Sequence, residues 1–517
     1  MPAQTLTLEH FFSAFKSNTI GDHQVFATPF GKKMITYADW TASGRAYLPI
    51  EQYLQKVVMP FIANTHTGTT ITGTLMSKAY EDARAIIKDH VHASAEDILI
   101  FCGSGMTAAV NKLQRILGLR APRGLMATHG DQPQANEALR PIVFVTHMEH
   151  HSNHISWLET IATVEIIPAD PQGNVDLAAF RLLLKQYHHR PHKIAAITAC
   201  SNVTGIQTPY HEIAKLIHAC NGFCFVDFAA SAPYADIDMH PAEKGAHLDA
   251  IYFSPHKFLG GPGTPGVLIV HQRLCNNPIP DHPGGGTIVY SNPWKQHEYS
   301  NDIEQREDGG TPPFLGAIKA AMCIRLKEQM GVENMLQREE EMLPVIFDRL
   351  AAIKNLHVLE GSVQKRLGIV AFLIDGAPYQ WVVKVLNDRF GIQTRGGCSC
   401  AGTYGHHLLG VSPSKSREIL QAIRAGNLSC KPGWVRLSIH PTMTDASLRF
   451  ILDAIASTAA HTRAWMKDYS YDPASNEYVF TASAKRPAVS AAPPAATHPA
   501  PSTSQHRVEN WFTATNW

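Results

Sequence analysis

Short apolar runs alternate with amphipathic segments between residues 75 and 270. The apolar runs are Ile98–Cys102, Ile142–Thr146, Ile194–Cys200, Phe223–Phe228, Ala250–Ser254 and Gly266–Val270. The amphipathic segments, with apolar residues at helical spacing, are Lys78–His90, Ala108–Leu117, Leu177–Tyr187 and Tyr210–Ala219. Strands that alternate with helices are typical of βαβ units. We therefore predict an α/β fold with a mostly parallel sheet that is covered on both faces.

The pattern changes on either side of this region. Residues 1–20 have the spacing of a short amphipathic helix, and residues 276–315, rich in Gly, Pro and Asn, predict long loops. Gly316–Leu350 is predicted to be helical, and shorter signals over 356–466 indicate a smaller α+β domain. After residue 482 the chain is of low complexity in Ala, Pro, Ser and Thr, which predicts a disordered tail.

Composition narrows the class of protein. The chain has 517 residues, and its 45 Lys and Arg nearly balance its 44 Asp and Glu, which disfavours a nucleic-acid footprint. No apolar run approaches the ~18 residues of a membrane span, and the first residues lack the basic region of a secretory signal. Nine cysteines are too few for a disulfide framework, so we expect free thiols in a reducing cytoplasm.

A Gly-rich turn follows the first apolar run. Residues 98–111 run from a strand through Gly-Ser-Gly into a helix, whose free N–H groups and positive dipole end favour an anion. Gly105 allows a close backbone approach and Thr107 adds a hydroxyl, so a phosphate site is one interpretation. The residues also match the dinucleotide fingerprint G-x-G-x-x-A, but no strand ending in an acid follows about 20 residues on.

Two later strands end on residues that carry chemistry. Asp227 stands at the end of an apolar strand, where open α/β sheets bind ligands, although this motif alone favours an Asp that caps the next helix. Lys257 lies between an apolar strand and a Gly/Pro-rich turn, where burial would lower its pKa. A lysine of this kind is suited to form a Schiff base.

Histidines and cysteines cluster in two further loops. Four histidines lie within 147–154, but no Cys or carboxylate stands at helical ligand spacing. We therefore expect no metal there and favour an imidazole stacked on an aromatic ligand. Arg395 precedes a Gly-rich loop with Cys398 and Cys400, which are too close for a zinc knuckle. This loop would expose and activate a thiolate, although a tight turn with incidental cysteines explains it equally well.

Nine short motifs together form one pattern. In chain order they are G-S-G-M-T, E-H-H-S-N, S-N-V-T-G, V-D-F-A-A, S-P-H-K, G-G-G-T, G-G-T-P, R-G-G-C-S-C-A and V-R-L-S. With this order and spacing the chain resembles the class V aminotransferase family of enzymes that use pyridoxal 5'-phosphate (PLP). Within that family it is most similar to the cysteine desulfurase and selenocysteine lyase branch. The resemblance covers roughly residues 20–468.

The resemblance implies the PLP-dependent transferase fold type I. In this fold a large domain with a mostly parallel seven-stranded sheet carries a smaller α+β C-terminal domain. The implied parts are an N-terminal helical arm over 1–20, a large PLP-binding domain over 21–325, a small C-terminal domain over 326–468 and a disordered Ala/Pro-rich tail over 469–517. A homodimer is also implied, because Thr287 would reach the phosphate of the cofactor in the partner protomer.

The resemblance also implies how PLP would be bound. Lys257 would hold the cofactor covalently, and Asp227 would bond its pyridine nitrogen and keep it protonated, so that the ring acts as an electron sink. His150 would stack on the ring and shuttle protons, and Asn202 would lie near the phenolic oxygen. The residues expected around the phosphate are Gly105, Met106, Thr107, Ser254 and His256.

The implied reaction takes sulfur from L-cysteine. Arg436, with Arg395 nearby, would bind the carboxylate of the amino-acid substrate. Cys400 aligns with the persulfide-forming cysteine of the loop R-x-G-x-x-C-A. L-Alanine would leave, and the persulfide sulfur would pass to a sulfur-acceptor protein.

Three features depart from the branch. Ala230 stands where a Gln is usual, Cys398 is an additional thiol, and residues 402–435 form an insertion. They keep a second hypothesis open, namely a class V aminotransferase, epimerase or lyase that acts on another amino acid. A third hypothesis, a non-catalytic scaffold that recruits a partner through its tail, is disfavoured by the intact Lys257 and Asp227.

Overall fold

The computed structural model describes residues 7–65, 67–120 and 139–481. The α-helices in these ranges are α1 Leu8–Ser17, α2 Leu48–Tyr53, α3 Ile71–His90, α4 Gly105–Ile116, α5 His151–Leu158, α6 Leu177–Gln186, α7 Tyr210–His218, α8 Ile303–Arg306, α9 Phe314–Met330, α10 Val332–Ala351, α11 Tyr379–Val385, α12 Gly402–Leu408, α13 Pro413–Arg424, α14 Asp445–Ala460 and α15 Thr462–Trp465.

The strands in the same ranges are β1 Val25–Thr28, β2 Gly31–Met34, β3 Thr36–Tyr37, β4 Asp97–Cys102, β5 Ile142–Thr146, β6 Thr163–Ile167, β7 Lys193–Thr198, β8 Phe223–Asp227, β9 Ala250–Phe253, β10 Gly266–His271, β11 Ile288–Ser291, β12 His297–Tyr299, β13 Leu356–Val358, β14 Ile369–Ile374, β15 Ile392–Gln393, β16 Arg395–Gly397, β17 Trp434–Ser438, β18 Tyr469–Asp472 and β19 Glu477–Phe480.

Seven strands form the central sheet in the order β4-β10-β9-β8-β7-β5-β6. All run in one direction except β10, which is antiparallel to both of its neighbours. Every residue of β4, β5 and β7 is buried, and burial on both faces explains their continuous apolar sequence. The predicted mostly parallel, seven-stranded sheet is confirmed. Strand β6 lies outside the predicted apolar runs because it is a half-exposed edge strand.

The helices on the two faces of the sheet follow the predicted amphipathic segments, with one difference. The helix predicted over Gly316–Leu350 is two helices, α9 and α10, separated at Gly331. Gly331 has a φ of +72°, which interrupts the helical path. The predicted loop region 276–315 also contains the β11–β12 hairpin and α8. None of the described helices is both long and apolar enough to cross a bilayer.

A second buried core surrounds the four-stranded sheet β13-β14-β17-β16. Its strands are antiparallel, and Trp381 of α11, Phe372 of β14 and Ile451 of α14 are fully buried between the sheet and its helices. Helix α10 joins both cores, since Met335 packs in the first and Ile346 in the second. This region has the predicted α+β character, while the domain boundary at residue 326 stays a prediction.

The segment before α2 runs beside this smaller sheet. Strand β3 pairs in parallel with β15, and the Ala38 carbonyl accepts a hydrogen bond from Ser438 N at 2.9 Å. Thr41 N donates to Ser438 Oγ at 3.1 Å. These contacts fix the short stretch that contains Asp39 against β17.

Residues 469–480 of the predicted tail are folded. Strands β18 and β19 form an antiparallel hairpin, and Phe480 packs against Tyr469 and Phe30 at ring-centroid distances of 5.5 and 5.0 Å. The prediction of disorder over 469–480 is therefore wrong, because its aromatic residues supply enough apolar surface to bury. Residues 482–517 of the predicted tail and residues 1–6 of the predicted arm lie outside the described residues.

Candidate active site

Loops from five strands meet at one edge of the central sheet. Strand β4 leads to Gly105, β5 to His150, β7 to Asn202 and β9 to Lys257, and β8 ends on Asp227. The five strands run in the same direction, so this edge is their carboxyl end, where open α/β sheets bind ligands. The predicted site residues that line one pocket here are Met106, His150, Asn202, Asp227 and Lys257.

Lys257 and Asp227 are electrostatic partners in this pocket. Burial lowers the pKa of Lys257 to about 8, and the Asp227 carboxylate opposes this shift. Asp227 is 3% exposed and accepts a hydrogen bond from Ala229 N at 2.8 Å, and burial raises its pKa to about 6. A lysine with a lowered pKa supplies a neutral amine near neutral pH, which suits a nucleophile or a base.

His150 caps the N-terminus of α5. Its Nδ1 accepts a hydrogen bond from Ser152 N at 3.1 Å, which leaves the proton of a neutral ring on Nε2. Burial lowers the pKa of His150 to about 3, and the charge of Lys257 lowers it further. The ring is therefore neutral at physiological pH and suited to stack on a flat ligand.

Buried Glu149 fixes the turn that precedes His150. Its carboxyl accepts hydrogen bonds from Thr146 Oγ1 at 2.6 Å, Asn153 Nδ2 at 2.8 Å and Thr198 N at 2.9 Å. Burial raises the pKa of Glu149 to about 7. The carboxyl joins the ends of β5 and β7, and thereby sets the position of His150.

The turn between β4 and α4 forms a cradle at a helix N-terminus. Gly105 has a φ of +62°, and a Cβ there would lie 2.8 Å from Ser254 Oγ and 3.0 Å from His256 Cε1. Met106 N donates to Ser254 Oγ at 2.8 Å, and Thr107 Oγ1 lies 2.7 Å from a serine hydroxyl of α5. Backbone N–H groups and hydroxyls at the start of a helix are suited to bind a phosphate.

Arg436 of β17 is buried beside the pocket. Its Nη1 donates to the Asn202 carbonyl at 3.0 Å and its Nη2 to Asp39 Oδ1 at 2.7 Å, while its buried Nε has no partner in the described part of the chain. Arg395 lies opposite Arg436 in the β16–β17 pair, and its Nε lies 3.4 Å from Asp39 Oδ2. Two guanidinium groups thus share one carboxylate, a donor arrangement that suits recognition of a carboxylate.

Cys400 lies on the loop of residues 397–402, called the Cys loop below. Ser399 and Cys400 have φ values of +51° and +56°, which non-glycine residues seldom adopt. Cys400 is exposed and Cys398 is half-buried. Asn202 Nδ2 donates to the Ser399 carbonyl at 2.7 Å, and the charge of Cys400 contributes to the pKa of Lys257. The loop therefore presents an accessible thiol at the pocket.

The side chain of Thr287 forms its hydrogen bonds within its own loop. Its Oγ1 donates to the Gly284 carbonyl at 2.7 Å and accepts from Gly284 N at 3.2 Å. The residue is fully buried. Its expected role toward the cofactor of a partner protomer stays a prediction.

A group of metal-ligating residue types lies away from the pocket. His218, His247 and Asp249 bring ligand atoms within 4.8 Å of one another. However, His218 Nδ1 donates to the Gly245 carbonyl at 2.7 Å, and its Nε2 lies 2.8 Å from Asp249 Oδ2. Arg273 pairs with the same carboxylate. These contacts are those of an ion-pair network, and the expectation that the chain holds no metal stays a prediction.

Two residues at the site, Asp39 and His151, lie outside the predicted set. Asp39 stands in a segment without periodic pattern, 397 positions from Arg436, so no local signal marks it. His151 belongs to the E-H-H-S-N motif, which marks the residue but not its partner. That partner is Gly402, 251 positions further along the chain.

The family model for aminotransferase class-V matches residues 36–449, and the chain belongs to this family. Its members are PLP-dependent enzymes, so the chain is an enzyme of this class. A probable cysteine desulfurase of Halalkalibacterium halodurans is 31% identical over 388 residues, which are 74% of this chain and 86% of the relative. A probable cysteine desulfurase of Staphylococcus aureus is 27% identical over 398 residues, 76% of this chain and 89% of the relative.

Solved structures share the fold. A cysteine desulfurase from Thermococcus onnurineus gives a TM-score of 0.65 at 22% identity and covers 82% of this chain and 95% of its own. One from Escherichia coli gives 0.66 at 19% identity and covers 87% of this chain and 98% of its own. These similarities confirm the expected fold type I of PLP-dependent enzymes.

Proposed function

We propose that the chain is a cysteine desulfurase, which converts L-cysteine to L-alanine and keeps the sulfur as a persulfide on Cys400. One observation carries the proposal. An exposed thiol on the Cys loop lies at a pocket that contains a buried lysine, Lys257, with a lowered pKa. Similarity to two probable cysteine desulfurases over about three quarters of the chain supports the same activity.

The donor set of the pocket fits PLP. Asp227 is a buried carboxylate with only a backbone N–H as hydrogen-bond partner, and Asn202 Oδ1 is buried without any partner among the described residues. The cradle at Gly105 leaves no room for a side chain, as expected where a phosphate approaches the backbone. The residues that would hold the cofactor are Gly105, Met106, Thr107, His150, Asn202, Asp227, Ser254, His256 and Lys257.

Bound PLP supplies an electron sink for the pair left when a bond to the substrate α-carbon breaks. Lys257 Nζ would bond the cofactor covalently and, once released by the substrate amine, would accept the α-proton. Its lowered pKa keeps a large fraction neutral near pH 8, as a base requires. Asp227 would hold a proton on the pyridine nitrogen, and His150 would stack on the ring.

Arg436 and Arg395 would bind the substrate carboxylate. The Nε of Arg436 supplies a buried donor that no other described residue uses, and Asp39 keeps the two guanidinium groups together. Because an arginine presents parallel N–H donors, it orients a carboxylate as well as attracting it.

Cys400 would take the sulfur. Its thiolate attacks the sulfur of the substrate, so an S–S bond forms as the Cβ–S bond breaks. The electron pair of the broken bond remains on the carbon skeleton, which gains a proton and leaves as L-alanine. Cys400 ends as a persulfide, and the one-electron oxidation of each of the two sulfur atoms balances the two-electron reduction of the carbon. A left-handed, exposed loop position gives the thiol the access that this attack and the later transfer need.

The proposal extends to assembly and location. We expect a homodimer, in which Thr287 contacts the phosphate of the partner's cofactor, and a sulfur-acceptor protein that approaches the Cys loop. None of the nine cysteines, all of which lie in the described ranges, forms a disulfide, and free thiols suit a reducing compartment such as the cytoplasm. The predicted division into a domain over 21–325 and one over 326–468 would set the pocket beside both.

Alanine release from L-cysteine tests the proposal. We expect Lys257→Ala to lose the visible absorbance of the bound cofactor, and Cys400→Ser to keep it while alanine release falls about 100-fold or more. Cys398→Ser is the matched control and should keep both properties. If Cys400→Ser releases alanine at the wild-type rate, the desulfurase mechanism is wrong. The alternative, another class V reaction at the same pocket, then takes its place.

A further inference from the structure

His151 of α5 bonds the Cys loop twice, once through its backbone and once through its side chain. The backbone N–H of His151 donates to the Cys400 carbonyl at 2.6 Å. The imidazole Nε2 of His151 accepts the backbone N–H of Gly402 at 2.7 Å. The two hydrogen bonds enclose Ala401, directly after the thiol-bearing residue, so His151 holds the end of the loop where the chain enters α12.

The space at Gly402 and the backbone conformation of the Cys loop both fit this pair of hydrogen bonds. A Cβ on Gly402 would lie 2.8 Å from His151 Nε2, so a side chain there would push the ring away. Ser399 and Cys400 both have left-handed φ values, a strained conformation for residues other than glycine that persists only where contacts hold it. The loop therefore depends on these two hydrogen bonds to keep the thiol in place. The one from Gly402 N to His151 Nε2 is called the tether below.

We propose that His151 is a positioning residue for the reaction, which holds the Cys400 thiol at the pocket through its neutral imidazole. The inference rests on the proposed function, because it assigns a role in that chemistry to a residue that does not touch the substrate. It concerns the second histidine of the E-H-H-S-N motif, whereas the first, His150, faces the cofactor pocket.

The protonation state of His151 decides whether the tether forms. Nε2 accepts a hydrogen bond from Gly402, so it carries no proton and the ring is neutral with its proton on Nδ1. A protonated ring would turn an N–H toward the N–H of Gly402 and break the bond. Burial lowers the pKa of His151 below its ordinary value of 6.5, as expected of a docked, neutral ring.

Titratable groups face this tether from both elements that meet at it. On α5, the His150 ring centroid is 6.3 Å from that of His151, and His154 bonds Thr403 Oγ1 through Nδ1 at 2.9 Å. Each of the two would lower the affinity of His151 for a proton if it were charged. From the other side come the Cys400 thiol and His406, whose Nδ1 donates to the Gly402 carbonyl at 2.7 Å.

The sign of the pH effect follows from linkage. Docking of the loop lowers the pKa of His151, so the imidazole binds a proton more tightly when the loop is undocked. Docking is at full strength above about pH 6.5 and weakens as the pH falls below that value. One pH unit below 6.5, the docked population falls relative to the undocked one by up to about tenfold.

Hydrogen–deuterium exchange of the peptide over 398–404 tests the proposal in the holoenzyme. Protection factors are compared at about pH 7.5 and about pH 5.5 for wild type, His151→Leu and His151→Gln. Leucine removes the acceptor, whereas the Gln side-chain oxygen reaches the same position and does not titrate. His211→Leu is the control, because His211 is also a half-buried helical histidine with one backbone partner, the Ala246 carbonyl at 2.7 Å.

We expect His151→Leu to lose about tenfold in protection of the peptide at both pH values. Wild type should lose protection between the two pH values, while His151→Gln stays protected at both and His211→Leu behaves as wild type. Full protection in His151→Leu would overturn the proposal. An equal loss at low pH in His151→Gln and wild type would overturn the role of the imidazole.

Kinetics distinguish failure of this inference from failure of the proposed function. In His151→Leu, alanine release should show a lower kcat with an unchanged KM for L-cysteine, because the thiol moves while the carboxylate site stays intact, and His151→Gln should restore kcat. If wild type releases no alanine yet the exchange results hold, the desulfurase proposal fails and the tether stands. If wild type is active but the exchange results fail, the tether alone is wrong.

Discussion

The carboxylate of Asp39 is the link between the N-terminal segment and the two arginines of the site. In Asp39→Ala, Arg436 loses its 2.7 Å hydrogen bond from Nη2 and, among the described residues, keeps the one to the Asn202 carbonyl. The Arg436 side chain is 3% exposed and that of Asp39 is 17% exposed, so the guanidinium remains as a buried charge without its counter-ion.

Removing one partner of a buried ion pair costs about 3 to 5 kcal/mol, and the partial exposure of Asp39 favours the lower end. For a folding unit as large as this one, about 1 kcal/mol shifts the Tm by roughly 1 to 2 °C. We therefore expect Asp39→Ala to lower the Tm by about 3 to 6 °C. The KM for L-cysteine should rise about tenfold, because Arg436 is no longer held in place.

Thermal unfolding at one fixed scan rate measures the effect. Asp22→Ala is the control, because it removes the carboxylate of a 2.8 Å pair whose cation, Lys16, is 28% exposed and so remains solvated, and such a pair is worth about 0 to 1 kcal/mol. The double variant Asp39→Ala with Arg436→Met removes both charges and should regain most of the lost Tm. A shift in Asp39→Ala no larger than that in Asp22→Ala would refute the reasoning, as would a double variant less stable than the single one.

Three further predictions concern the pocket and the core. Gly105→Ala, with a Cβ 2.8 Å from Ser254 Oγ, should weaken PLP binding to the apoenzyme about tenfold or more; unchanged affinity in an absorbance titration argues against the cradle. Asp227→Asn should lower the pKa of Lys257 below about 8, since the carboxylate raises it; the pH midpoint of cofactor incorporation reports the change, and an upward move contradicts it. Burial raises the pKa of Glu339 to about 8, so this carboxyl costs stability as the pH rises from about 4.5 to 8. Glu339→Gln should raise the Tm by about 2 to 5 °C at pH 8 and little at pH 5, whereas equal shifts at both values are inconsistent with it.

The central sheet was predictable because its strands are buried on both faces. Burial of β5 and β7 selects uninterrupted apolar sequence, and such runs stand out in a chain of ordinary composition. The edge strand β6, with only Ile167 fully buried, has no such signature. The hairpin over 469–480 is missed for a similar reason, since it is stabilised by contacts with Phe30 rather than by its own pattern.

The site residues also fall into those that the local sequence marks and those that only distant contacts define. Lys257 and Asp227 stand directly at strand ends, so position and residue type together point to their chemistry. Asp39 has its role because it pairs with arginines hundreds of positions away, and the sequence around Asp39 does not indicate that pairing. His151 is intermediate, because its motif is visible while the direction of its ring depends on the cap at α5 and on where the Cys loop docks.

The site of the persulfide tests the central claim most directly. The holoenzyme is incubated with L-cysteine, its thiols and persulfides are trapped by alkylation, and the mass of the peptide that contains Cys398 and Cys400 is measured. The single variants Cys398→Ser and Cys400→Ser then show which of the two cysteines carries the added sulfur. The account predicts one added sulfur atom on Cys400, formed together with L-alanine and absent in Lys257→Ala. Alanine formation without added sulfur on Cys400, or added sulfur that persists in Cys400→Ser, would contradict it.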